Sequence, residues 1–155
     1  GKNWIRNQTI VNPVWTYIFS RELIESSNMQ FEKDIYHEDS LFTCMILLGA
    51  KQVCFYNMPI YTYRRREESI MSSGGIGKHI QDLKHIINIK LSLPELPHRL
   101  KVKMIKQDLN ALIFYYAKAE SAFEKSEIKW FLSIILSTKS LRLWIKICYL
   151  FWQRR

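Results

Sequence analysis

Apolar positions change their rhythm once along this chain. From Ile76 onward they recur every three or four residues, first at Ile76, Ile80, Leu83 and Ile87, then at Val102, Ile105, Leu109, Leu112 and Tyr116. Such spacing puts each set on one face of a helix. Two more helices are predicted over Glu127–Ser137 and Leu141–Gln153, and "LPELP" (Leu93–Pro97) makes a sharp turn between the first two. Before Ile76 the rhythm is mixed. Residues 1–11 predict an irregular or short extended lead-in. Asn12-Pro13 predicts a helix start, with Asn as N-cap and Pro at the first helical position, for "VWTYIFSRELIESS". In that stretch Trp15, Ile18, Phe19 and Leu23 share a face. After a turn at "NMQF", a helix is predicted from Glu38 to Leu48 and stopped by Gly49. "QVCFY" and "PIYTYRRR" are two β-prone runs around a turn at Asn57–Pro59. "SSGG" (Ser72–Gly75) is the clearest break. The pattern predicts an α+β chain, mostly helical, in two parts: 1–75 and 76–155.

Composition adds that the chain is globular. It has 155 residues, 48% hydrophobic and 14% aromatic, enough to bury a core and too apolar for disorder. Charge separates the two parts. Residues 1–75 hold eight basic and eight acidic side chains, and residues 76–155 hold fifteen and six, so the whole net +9 belongs to the second part. That asymmetry fits a first part with local chemistry and a second that meets an anionic surface, or simply a solvated basic helical face. Cys44, Cys54 and Cys148 lack paired spacing, so they read as reduced core thiols of a cytoplasmic protein. His79, His85 and His98 fall on separate helical turns with no metal-ligand spacing.

Candidate chemistry concentrates in "YHEDSLFTCMILLGAKQVCFYNMPIYTYRRREES", from Tyr36 to Ser69. Glu38 and Asp39 occupy the first turn of their predicted helix, where N–H groups and the helix dipole favour anions. They are either plain helix capping or a carboxylate kept ionised to accept a proton from a hydroxyl. His37 beside them is either a local cap or an acceptor contact. Arg64 and Arg66 share a face if the strand persists. They suit a phosphate or diphosphate, or are a charged strand end in water.

Taken together these signals resemble a known family. "VWTYIFSRELIE…MQFEKDIYHEDSLFTCMILLGAKQVCFYNMPIYTYRRREESIM" is similar to the second half of a bacterial family 2 glycosyltransferase of the GT-A fold. The matching elements are Trp15, Phe31, Glu38-Asp39, the apolar helix to Gly49, and Tyr61, Tyr63, Arg64, Arg66 and Ser69. The resemblance implies roles. Asp39 would be the base that deprotonates the acceptor hydroxyl. Glu38, Trp15 and His37 would shape the acceptor site. Arg64, Arg66, Tyr63 and Ser69 would lie by the nucleotide diphosphate. The family's nucleotide-binding half, with the Asp-x-Asp that holds Mg²⁺ or Mn²⁺ and the nucleotide sugar, has no counterpart here. The chain is therefore expected to be a C-terminal fragment, inactive alone, of an enzyme of bacterial surface-polysaccharide assembly.

The last predicted helix differs in character. Leu141–Trp152 has ten apolar residues in twelve, and residues 139–155 contain five basic side chains and no acid. This reads as a basic amphipathic helix on an anionic membrane surface, or as one packed on protein or on a second copy. The implied location is cytoplasmic, peripheral at the inner face of the membrane. A basic helical module that binds nucleic acid is a weaker alternative, because no recognised module interleaves its cations with aromatics.

Overall fold

In the computed structural model of the chain, residues 1–8, 10–64, 75–94, 96–119 and 124–152 are described. They form seven α-helices: α1 (Lys2–Asn7), α2 (Arg21–Ser27), α3 (Glu38–Gly49), α4 (Ile76–Ser92), α5 (His98–Lys118), α6 (Lys125–Thr138) and α7 (Leu141–Trp152). A single 3₁₀ turn spans Val14–Thr16.

The periodic second part folds close to its pattern. Pro97 is the N-cap of α5, and α6 opens on a capping box between Glu124 and Glu127. Lys139, in the left-handed conformation, ends α6 one residue before α7. The first part departs from its pattern in three places. Residues Lys2–Asn7 are helical, with Ile5 fully buried, where an irregular lead-in is expected. Six residues are too few to show a period. The helix expected to run from Pro13 is split into the 3₁₀ turn and α2, with Tyr17 extended between them. Asn12 does not cap it: its side chain donates to Asp108 and its carbonyl accepts from Thr43. Ser20 caps α2 instead, accepting from the Leu23 N–H at 3.2 Å. Finally, the described residues of the two β-prone runs have no regular structure, and no strand is present among the described residues. A strand needs a partner edge, and a lone hairpin is marginal in water. Phe55, Tyr56, Met58 and Ile60 are exposed along this stretch. The β component of the α+β expectation is thus not seen among the described residues, which are mostly helical.

Two apolar clusters make the core. One joins Leu83 and Ile87 of α4, Ile105, Leu109 and Leu112 of α5, Phe131 and Ile134 of α6, and Leu143, Ile147 and Leu150 of α7. The other joins Ile5, Ile10, Cys44, Leu47, Leu100 and Met104. Helix α5 supplies both, so residues on either side of the SSGG break share a core.

Candidate functional site

Four groups converge at the N-terminal end of α3. Glu38 and Asp39 lie in its first turn, both half-buried. His37 is the N-cap, held at φ 65° with no side-chain bond to the helix. Its ring instead turns toward α4, with Nε2 3.0 Å from Nδ1 of His79. His79 is 1% exposed and stacks between Tyr36 (4.5 Å) and Tyr115 (4.3 Å). The residues just before the acids are also tied to α4. Asp82 accepts the Tyr36 N–H at 2.8 Å, and Lys78 bonds both Asp82 and the Asp34 carbonyl.

Behind the acids lies a buried polar ring. Ser40 donates to Asp108 Oδ1 at 2.5 Å, while Lys90 donates to Ser40 Oγ and to Asp108 Oδ2, each at 2.7 Å. Lys90 and Asp108 are 0% and 1% exposed in their side chains, so each neutralises a charge that burial would otherwise forbid. This ring fixes the residue next to Asp39 to α4 and α5 together.

The electrostatics of the turn differ from the sequence expectation. Burial pushes the Asp39 carboxyl above the usual carboxylate range and Glu38 pushes it further, against the Ser40 N–H. The helix N-terminus therefore does not hold it low. Burial and His79 push His37 down, against the pull of Asp108 and Asp82. Burial also lowers His79, against Asp82. Burial opposes ionisation of Asp82 too, but the Tyr36 N–H and Lys78 outweigh it and set its carboxyl low. The result is one carboxyl tuned upward, Asp39, and another tuned downward, Asp82.

The aromatic residues gather separately. Trp15 stacks on Tyr61 at 6.0 Å and on Tyr63 at 5.8 Å, and the turn that carries Trp15 packs against α3. Trp15 sits in the 3₁₀ turn rather than in a helix. Arg64 is exposed at the end of the described run. Arg66 and Ser69 lie outside the described residues. The structure thus brings Trp15 to Tyr63, and joins Glu38, Asp39 and His37 at one helix end.

The residues that sequence reasoning missed are His79, Asp82, Lys90 and Asp108. A signal for two of them existed. Lys90 continues the apolar stripe of Leu83, Ile86 and Ile87, and Asp108 sits among Met104, Ile105, Leu109 and Leu112. A charge on a core face has to be paired. No group of three or more His, Cys, Asp or Glu side chains that could hold a metal is found among the described residues. The Mg²⁺ or Mn²⁺ of the resembled family is expected in another part of the enzyme, and the chemistry assigned to this chain does not pass through it. A cleft of about 800 Å³ between α4, α5 and α6 contains none of the predicted site residues. Within it Tyr116 bonds Glu127, Asn88 bonds Trp130 and Lys84 lies over Trp130.

Among known proteins, no family model matches the chain and no solved structure is similar to it. Over 58 residues it is 36% identical to "Uncharacterized glycosyltransferase EpsJ" of Bacillus subtilis (strain 168). That stretch is 37% of this chain and 17% of the relative's length, so the chain spans only a small part of the protein it resembles.

Proposed function

We propose that this chain is the acceptor-side part of a glycosyltransferase of family 2 and GT-A fold, which moves a sugar from a nucleotide diphosphate sugar to a hydroxyl in bacterial polysaccharide synthesis. The observation that carries this reading is the 36% identity over 58 residues to a glycosyltransferase. Asp39 is the base. A carboxyl raised above its ordinary range is a better proton acceptor than a free aspartate, provided that it is ionised at working pH. Glu38 shares the turn and, with the Trp15 aromatic group and His37, shapes the acceptor site. Tyr63, Arg64, Arg66 and Ser69 take the role of binding the departing diphosphate. The β-prone stretch with exposed Phe55, Tyr56, Met58 and Ile60, which forms no strand among the described residues, fits a chain whose sheet partner belongs to another part of the enzyme.

The test is made in the intact parent enzyme. General base catalysis contributes roughly 10²–10⁴-fold, so Asp39→Asn should cut transfer at least a hundredfold with nucleotide sugar affinity nearly unchanged. Glu38→Gln should alter acceptor use more than the chemical step. If both variants keep their activity, the acidic pair is a helix cap and the reading of this site fails.

A further inference from the structure

Helix α7 carries apolar side chains on two opposite faces. Leu143, Ile147 and Leu150 are buried in the core. On the other side Leu141, Trp144, Ile145 and Trp152 are 47–71% exposed. Cys148, also exposed, lies on the same stripe. Helix α6 adds Ile128, Leu132 and Leu136, four residues apart and exposed. The two stripes meet at the turn, where Leu136, Leu141 and Trp144 line a common hollow of about 510 Å³. Lys125 and Lys129 of α6, Lys139 in the turn and Arg142 of α7 are exposed. No acid follows Glu127 in the sequence, and Glu127 is bonded by the Tyr116 hydroxyl.

We propose that the α6–α7 hairpin docks on an anionic lipid surface, lying in the headgroup layer with Leu136, Leu141, Trp144, Ile145 and Trp152 inserted and its cations against lipid phosphates. Charge selects this occupant. A second copy of the chain would bring the same cations face to face. A nucleic acid would match the cations but leave the aliphatic groups with no partner. An anionic membrane satisfies both, with Trp at headgroup depth. The twelve residues of α7 extend only about 18 Å, against a hydrocarbon core of about 30 Å, so the helix lies on the membrane and does not cross it. No described helix is long and apolar enough to span. The inference rests on the hairpin alone and is independent of the glycosyltransferase reading.

The 155-residue chain is mixed with phosphatidylcholine vesicles, with and without phosphatidylglycerol. It should co-sediment with the anionic vesicles only, and added salt should release it. Those vesicles should protect Cys148, but not Cys54, from maleimide. Removing three cations as Lys129→Gln/Lys139→Asn/Arg142→Gln should weaken binding about fivefold per charge, roughly a hundredfold in all, from about 1 kcal/mol each. Trp144→Gln/Ile145→Gln should abolish the co-sedimentation. All five substituted side chains are exposed, and thermal unfolding shows whether each variant folds; Cys148 protection in the unaltered chain decides the matter if one does not. Equal binding to both vesicles, no binding, or undiminished binding of the Trp144/Ile145 variant would overturn the proposal. So would a lipid-free dimer that shields Cys148.

Discussion

Lys90→Met is the most informative single change in this fold. It removes the ammonium that lies 2.7 Å from Asp108 and leaves a carboxylate 1% exposed with only Ser40 and Asn12 to solvate it. Removing one partner of a buried pair costs about 3–5 kcal/mol. That is a large share of the roughly 5–15 kcal/mol that holds a typical domain together. Asp108→Leu should cost a similar amount, because it strands the ammonium. The double variant Lys90→Met/Asp108→Leu buries no charge, and its remaining loss is the unmet Ser40 hydroxyl and Asn12 amide, about 1–3 kcal/mol for each group left unpaired. The two single costs together should therefore exceed the double by a positive coupling, about 4 kcal/mol at the middle of these ranges. Urea unfolding followed by far-ultraviolet circular dichroism measures all four corners of the cycle. If Lys90→Met costs less than about 1 kcal/mol, or if the two single costs simply add, the pair is solvated in the folded protein and the buried ring is not a structural tie.

Three further outcomes follow from the same geometry. His37 and His79 both have lowered folded pKa values, so the unfolded chain takes up protons first as pH falls below about 6.5. Stability should be full above that pH and should decline below it, and His79→Phe, which keeps the stack, should flatten the urea midpoint against pH; a midpoint that rises on acidification would contradict the paired-histidine reading. In the parent enzyme the raised Asp39 carboxyl should carry the acid limb of kcat to a higher pH than an ordinary aspartate, and a limb at or below that ordinary value would remove Asp39 as the base. Cys44 is buried with its thiol pushed up to about 11, whereas Cys54 and Cys148 are exposed, so a thiol reagent should modify two cysteines in the native protein and the third only after unfolding.

The helices of the second half were legible because each buries one stripe, and a stripe survives in the sequence as a period. Helix α3 was legible for another reason: two acids at its start and Gly49 at its end mark its limits. What failed was local reasoning where tertiary contacts win. Asn12 reads as a cap by its neighbours, yet its amide is drawn to Asp108, 96 residues away. The β-prone runs have strand composition, but propensity without a partner edge does not make a strand. Among the candidate site residues, the adjacency of Glu38, Asp39 and His37 was visible, whereas the stacking of Trp15 on Tyr63 was not, because the family resemblance assigned one to the acceptor and the other to the diphosphate. That the supports Lys90 and Asp108 needed partners could be read from their apolar stripes, but their joining through Ser40 could not, because Ser40, Lys90 and Asp108 are separated by 50 and 18 residues and no period links them.

Those supports change what α4 and α5 are for. Charge and periodicity alone make residues 76–155 an appendage, basic and helical, attached after a break. The contacts show that Lys78, His79, Asp82 and Lys90 of α4 and Asp108 of α5 reach back to Asp34, Tyr36, His37 and Ser40. Every one of these bonds falls within six residues of Asp39, on the segment that leads into α3 or on its first turn. A carboxylate acting as a base needs a fixed position relative to its acceptor, and an error of about 1 Å can cost a hundredfold in rate. The first turn of a helix has no preceding turn to hold it, and His37 adds a left-handed residue that a free chain seldom adopts. Rigidity at Asp39 must therefore be imported, and α4 and α5 are where it comes from. Cutting the chain at the SSGG break would remove those helices, so the first half alone should lose the geometry of its acidic turn even if α3 remained helical.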